Sequence, residues 1–359
     1  MNSFFALLLL GMASLLLKAQ NQQHTFREEL YFDSFVLSNR IPIQVYLPVD
    51  YEMNTEKYQV HYIFDGILTA RMYAGMADHY SQLNLIPEII VVGLNHNRRY
   101  KHDKYKEFLE EELIPFIDST YRTVPFRLLA GHSSSGEQAL YTLFEGSELM
   151  QGYISGSPTG LEKFDIQNVK YDTSQLKFIY TAIAENDFKD IVNQYPGFLL
   201  RIKELSRQVP FYTEIISDKS HYTCFPVMIN NALLKLFEGW MLSFPEGQNE
   251  EVIPLIEAHY QLLSNRFGYH ILMPEKTIYR MAYQWIHVIE DYSNAIELLE
   301  YAVELYPTSG FLYHLLAKGY HRTDQYDLAE IHYQKAIELV PPDYKMAMDD
   351  YEKLKRDRK

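Results

Sequence analysis

The residues best suited to covalent chemistry lie in one short turn, Gly131-His132-Ser133-Ser134-Ser135-Gly136. The apolar run Phe126 to Ala130 leads into it and an amphipathic stretch leaves it. That is the strand–turn–helix setting in which a serine hydroxyl is lifted clear of a sheet. Such a turn crowds the positions two before and two after the nucleophile. With Ser133 in that role they are Gly131, which fits, and Ser135, which is small but departs from the usual glycine. Taking Ser134 instead puts His132 where only a tiny side chain fits. Taking Ser135 places Ser133 and Glu137 beside it and sets the nucleophile too deep in the helix. The frame is therefore Ser133. A serine-rich helix cap looks the same in isolation, so partners elsewhere must decide.

A serine hydroxyl needs a base to take its proton and an acid to orient that base. On this kind of turn the three follow in the order serine, acid, histidine. The apolar run Phe178 to Ala184 ends in Glu185-Asn186-Asp187, which puts carboxylates at a strand's C-terminal end. Asp187 has the preferred spacing, Glu185 competes, and Asp190 is a weaker third. His221, in Ser217-Asp218-Lys219-Ser220-His221-Tyr222-Thr223, follows the last strand and precedes a closing helix, and is the expected general base. Two backbone N–H groups should receive the developing oxyanion: Ser134 at a helix N-terminus, and Ile67 in the loop Phe64-Asp65-Gly66-Ile67. His132 belongs to the turn itself, and its side chain is expected to point away. The other histidines read as loop, surface or packing residues. The single cysteine, Cys224, excludes an intrachain disulfide and reads as a small buried residue. No HExxH, paired-cysteine or calcium-loop spacing occurs, so neither a metal nor a cofactor is expected.

These residues need a sheet to hold them. Strands are expected at Ile43–Leu47, Gln59–Phe64, Glu88–Leu94, Phe126–Ala130, Phe178–Ala184 and Tyr212–Ile216, several of them continuous apolar runs as in strands covered on both faces. Helical stretches such as Tyr105–Ser119 and Gly197–Ser206 alternate with them, the pattern of a wound, mostly parallel α/β sheet over residues 26–245. Beyond Pro245 the periodicity turns helical. Residues 246–275 read as a helical linker with a helix over Glu250–Asn265 and Gly268 as its stop. An internal repeat follows at an offset of 34: Tyr279, Ala282, Ile286, Tyr292, Ala295, Leu299, Ala302 and Pro307 recur as Tyr313, Leu316, Tyr320, Tyr326, Ala329, Tyr333, Ala336 and Pro341. The spacing resembles two tetratricopeptide repeats over 276–343, with 344–359 as a capping helix.

The charge balance is that of an acidic globular protein. Thirty-three Lys and Arg against 47 Asp and Glu give a net charge of −14, which disfavours nucleic acid and anionic membrane as partners. The apolar run Phe4 to Leu17 is short for a bilayer span and suits the core of an export signal over residues 1–20. An exported protein is expected, periplasmic if the source is Gram-negative and otherwise secreted, with no stable membrane insertion after cleavage. An uncleaved N-terminal anchor is the alternative.

With the pieces assembled, residues 26–245 resemble the Putative esterase family of the α/β-hydrolases, which includes ferri-enterobactin esterase and S-formylglutathione hydrolase. The resemblance is carried by Tyr62-Ile63-Phe64-Asp65-Gly66, by Ile89 to Asn95 with Arg98-Arg99, and by Tyr121-Arg122 before the Ser133 turn. It continues in Ser155-Gly156-Ser157-Pro158 and ends at His221. It implies an α/β-hydrolase sandwich with Ser133, His221 and an acid near Asp187, and Ile67 and Ser134 as oxyanion donors. Ala184 stands where a glycine often precedes the acid, which leaves Asp187 and Glu185 both open. The expected reaction is hydrolysis of a small-molecule carboxylic ester or thioester. Acyl transfer to another acceptor is an alternative, as is an inert hydrolase-fold scaffold that binds a protein partner through its repeats.

Overall fold

The computed structural model describes residues 26–95, 100–164, 173–175, 177–203, 205–242 and 252–358. The expected export signal, the Arg98-Arg99 pair and the first residues of the linker lie outside them. Two compact units form: one runs to Met241 and includes Phe267–Tyr269, the other comprises Leu242–Arg266 and His270–Lys359.

The first unit is built on one eight-stranded sheet: β1 (Phe26–Ser34), β2 (Asn39–Tyr46), β3 (Tyr58–Ile63), β4 (Ile89–Leu94), β5 (Thr123–His132), β6 (Gly152–Gly156), β7 (Phe178–Asn186) and β8 (Phe211–Ser220). They lie in the order β1-β2-β4-β3-β5-β6-β7-β8. β1 and β2 run antiparallel, and β2 meets β4 antiparallel; the remaining six are parallel. Every residue of β3, β4 and β6 is buried, as the continuous apolar runs require of strands covered on both faces.

Six helices serve this unit: α1 (Ile67–Gln82), α2 (His102–Phe108), α3 (Ile114–Thr120), α4 (Ser134–Phe144), α5 (Lys189–Ile202) and α6 (Cys224–Leu236). Val60, Tyr62 and Phe64 point into a core shared with Tyr105, Phe108, Ile117, Leu140, Leu143, Tyr195 and Phe198, so α2 to α5 cover that face. His61, alternating to the other side, bonds through Nδ1 to the Tyr73 hydroxyl of α1 at 2.7 Å. β3 is flanked by β4 on one side and β5 on the other, so the strand order reverses there. Crevices for ligands open at such a point, outside the C-terminal strand ends.

Three elements differ from expectation. β1 and β6 were not anticipated, and α5 begins at Lys189 and accommodates Pro196 in its interior rather than starting at Gly197.

The second unit is all helical: α7 (Val252–Phe267), α8 (Glu275–Gln284, continuing through a π turn over Trp285–Ile289), α9 (Tyr292–Leu305), α10 (Gly310–Arg322), α11 (Tyr326–Leu339) and α12 (Met346–Asp357). Ala282, Ala295, Ala302, Ala329 and Ala336 are fully buried. Pro307 and Pro341 follow the ends of α9 and α11. Among the described residues no helix is long and apolar enough to cross a membrane.

Candidate active site

Ser133 sits between β5 and α4 with φ 57° and ψ −120°, a conformation that residues with a side chain rarely adopt and that strains the backbone. The turn is strung between neighbours. Ser133 N–H donates to the Gly156 carbonyl of β6 at 2.8 Å, and its own carbonyl accepts from Glu137 N–H at 2.9 Å. Gly131 meets the steric demand read from the sequence, because a β-carbon there would stand 2.4 Å from the Ser135 carbonyl oxygen. Ser135 fits in place of the usual glycine: it is buried, and its hydroxyl donates to the Phe64 carbonyl at 3.0 Å.

His221 follows β8, and Asp187 follows β7, the adjacent parallel strand. The two meet, with His221 Nδ1 2.7 Å from Asp187 Oδ1 and side-chain exposures of 5% and 0%. That leaves no room for water to screen the pair. Burial pushes the Asp187 carboxyl up, but hydrogen bonds outweigh it and hold the group below its ordinary value. The Ser157 hydroxyl donates to Oδ2 at 2.5 Å, Ala184 N–H to Oδ2 at 3.0 Å and Phe188 N–H to Oδ1 at 2.8 Å. An ionised Asp187 accepts the Nδ1 proton of His221, which leaves the lone pair on Nε2.

Glu185, the competing acid, is exposed and accepts from Asp218 N–H at 2.9 Å. Asp190 is exposed in the first turn of α5.

Two rings pack close to the imidazole of His221. The Phe188 ring stacks on it with centroids 4.1 Å apart and 27° between planes, and the His132 ring centroid lies 4.6 Å away at 48°. His132 therefore does not point away, as the sequence suggested. It turns toward His221, Phe225 and the Cys224 sulfur, because the cap of the crevice is the nearest apolar shelter at that turn. Burial, reinforced by the charge His221 can carry, holds His132 down at about 4 and so neutral. Cys224 is buried 3.2 Å from the Ser157 hydroxyl, and burial raises its thiol, so it is no nucleophile.

The predicted oxyanion donors occupy equivalent places. Ser134 is the first residue of α4 and Ile67 the first of α1, and these helices follow the neighbouring strands β5 and β3. Both N-termini thus open on the same sheet edge, where the helix dipoles favour negative charge. Gly66 makes the turn with φ 85°, and a β-carbon there would strike Asn95 Oδ1 at 2.4 Å. A cavity of about 410 Å³ lined by Tyr46, Arg71, Asp78 and Glu88 opens instead at the start of β4, the opposite end of the parallel strands. Chemistry, not size, picks the site.

Ser157 is a residue of this site that sequence reasoning left without a role. It holds φ 42°, and its backbone N–H donates to the Ala182 carbonyl at 2.7 Å, which aims the hydroxyl at Asp187. Its signal was a small polar residue directly before a proline at the end of a buried strand.

Residues 34–160 match the family described as "Putative esterase". No curated protein matches the chain. Among solved structures, the fold is similar to an IroE-like serine hydrolase from Shewanella oneidensis, at 19% identity and TM-score 0.62 over 71% of this chain and 92% of that one. It is also similar to an uncharacterised protein from Capnocytophaga ochracea, at 17% identity and TM-score 0.60 over 91% and 99%. A third likeness is to the siderophore hydrolase EstB from Aspergillus nidulans, at 16% identity and TM-score 0.51 over 60% and 97%. The Capnocytophaga match extends well beyond the hydrolase unit, so the added helices recur with the sheet. The segment that carries the Gly66 loop, the Ser133 turn and Ser157 is thus the part of the chain that matches the Putative esterase family, on a fold similar to that of serine hydrolases.

Proposed function

We propose that this chain is a serine esterase that cleaves a small carboxylic ester or thioester through an acyl-enzyme on Ser133. His221 Nε2 takes the Ser133 proton as Oγ attacks the carbonyl carbon, and Asp187 holds the imidazole and stabilises the imidazolium that forms. The oxyanion falls between the Ile67 and Ser134 N–H groups, one such donor being worth about 3–4 kcal/mol in a related chemistry. Collapse expels the alcohol or thiol, which leaves with the proton from His221. Water, activated by the same base, then releases the acid and restores Ser133. The observation that carries this reading is the His221–Asp187 contact at 2.7 Å, dry on both partners, at the same strand ends as the strained Ser133 turn.

Its test is direct. A fluorophosphonate probe is expected to label the wild type at Ser133, and Ser133→Ala to abolish p-nitrophenyl acetate turnover. Retained turnover in that variant sinks the proposal.

Export through the N-terminal segment, and two tetratricopeptide repeats over 276–343 that engage a protein partner, belong to the same reading. The 34-residue offset between the starts of α9 and α11 supports the repeats.

A further inference from the structure

The loop that carries the Ile67 N–H is pinned from three sides. Phe64 N–H donates to the Ala130 carbonyl of β5 at 2.9 Å, and Gly66 N–H to the Leu94 carbonyl of β4 at 3.1 Å. Those are backbone bonds, available to almost any sequence. The third pin is a side chain. Ser135 Oγ donates to the Phe64 carbonyl at 3.0 Å from a buried position, and Ser135 is the residue at which the turn departs from glycine. Ser135 also packs on the nucleophile turn, since a β-carbon at Gly131 would lie 2.8 Å from its own. One residue therefore touches both halves of the site.

Asp65 extends the contact. Its carboxyl lies beside the Ser135 hydroxyl and the His132 N–H, and its Oδ2 is buried with no hydrogen-bond partner among the described residues. A hydroxyl carries one proton. Ser135 spends its proton on the Phe64 carbonyl, so toward Asp65 it can only accept, and that bond needs a proton on the carboxyl. Burial supplies the condition by pushing Asp65 up to about 7. The result is a chain in which the Asp65 O–H donates to Ser135 Oγ, whose O–H donates to the Phe64 carbonyl.

We infer that Ser135 and Asp65 are positioning residues that latch the oxyanion loop onto the nucleophile turn and so fix the spacing between the Ile67 and Ser134 N–H groups. The inference rests on the acyl-enzyme reading above. A loop held at fixed distance stabilises the tetrahedral oxyanion more than the bound ester, so its loss falls on kcat rather than KM.

The test uses the full chain with p-nitrophenyl acetate as substrate and a simple alkylboronic acid as a tetrahedral-adduct inhibitor. Ser135→Gly, the residue usual at this position, is expected to lose about 10- to 100-fold in kcat, part of the 10²–10³ attached to one oxyanion donor. KM should stay within about twofold, and boronate affinity should fall in step with kcat. Ser135→Ala, which removes only the hydroxyl and adds no backbone freedom, should do the same with the melting curve intact. Asp65→Leu should match it. Asp65→Asn, whose amide can still donate to Ser135, should recover most of the loss.

Wild-type kcat in Ser135→Gly and Ser135→Ala overturns the latch, as does a loss confined to KM. Equal losses in Asp65→Asn and Asp65→Leu overturn the proton chain. A wild type that turns over no ester and takes no probe at Ser133 overturns the esterase reading instead, so the two failures are distinct.

Discussion

Among the described residues two histidine–aspartate pairs have a buried imidazole, and by distance alone they are twins. In the first unit His221 and Asp187 stand 2.7 Å apart; in the second, His314 and Asp350 stand 2.9 Å apart. Both imidazoles are dry, with side-chain exposures of 5% and 3%. Their commitments separate them. His314 uses both ring nitrogens: Nδ1 accepts from the Tyr344 hydroxyl at 3.0 Å while Nε2 faces Asp350, which Lys318 also grips at 3.0 Å. Burial keeps His314 neutral, and the set fastens α12 to α10. His221 engages Nδ1 and has no partner for Nε2 among the described residues.

The backbones differ in the same way. The positive φ at Glu290 closes a helix in the ordinary left-handed form with ψ 28°, whereas Ser133 combines φ 57° with ψ −120°. A site is marked by an uncommitted nitrogen beside a strained backbone, not by the ion pair.

The largest way to break this contrast is to remove each histidine. His221→Ala is expected to lower kcat on p-nitrophenyl acetate by roughly 10⁴-fold or more, the scale for a triad member. His314→Ala should leave kcat within about twofold while removing about 1–3 kcal/mol of stability, because Asp350 and Tyr344 lose a partner in a buried setting. Steady-state kinetics and urea unfolding read the two effects. Comparable losses of activity would erase the distinction.

Within the first pair, the acid can be sharpened next. Asp187→Asn keeps the shape but reverses the hydrogen bond to Nδ1, so about 10⁴-fold in kcat is expected. Glu185→Gln, which meets only the Asp218 N–H, should stay within about threefold of wild type. A large loss at Glu185 would exchange their roles.

Ser157→Ala is a smaller probe of the same carboxylate. It removes one donor to a charged group, worth roughly 1.5 kcal/mol or about tenfold in kcat. The pH dependence has a definite sign. The folded value of Asp187 lies below its ordinary one, so its contribution to stability is full above the ordinary carboxylate range and is lost as pH falls through the folded value. Taking away the Ser157 donor raises the folded value, so acid unfolding should begin at higher pH in the variant.

Much of this site was legible in the sequence because it depends on chain order and turn sterics. Gly131, Ser133 and His221 stand at strand ends that continuous apolar runs already located. The sequence preferred Asp187 and left Glu185 open; which carboxylate bends back over Ala184 to meet His221 and which turns out toward Asp218 depends on local backbone geometry that residue types do not record. β6 was missed because Gly152-Tyr153-Ile154-Ser155-Gly156 begins and ends in glycine and reads as a turn, yet Leu128 crowds the first and Met228 the second. β1 was missed because charged residues interrupt it; at the sheet edge Leu30 and Phe32 pack inward. Ser157 and His132 act through backbone angles and ring orientation, which leave no pattern in residue types.

The smallest expected effect comes from the aromatic cover. Phe188 stacks on His221 at 4.1 Å, whereas the rings nearest His314, Tyr344 and Tyr333, stand off at 5.6 and 5.9 Å and are more steeply inclined. The face of a phenyl ring attracts a cation, and in the proposed mechanism His221 becomes one when it takes the serine proton. On that reading the stack favours the tetrahedral intermediate over the resting enzyme. Phe188 is half exposed, which limits the attraction to about 0.5–1 kcal/mol. Phe188→Leu keeps apolar cover without the π face and should lower kcat by about two- to fivefold with KM little changed, while Phe188→Tyr keeps the face and the rate. Tyr333→Leu should leave kcat alone, because His314 never carries a transferred proton. If Phe188→Leu matched wild type, the stack would be packing alone, and the two histidines would be alike in their aromatic surroundings.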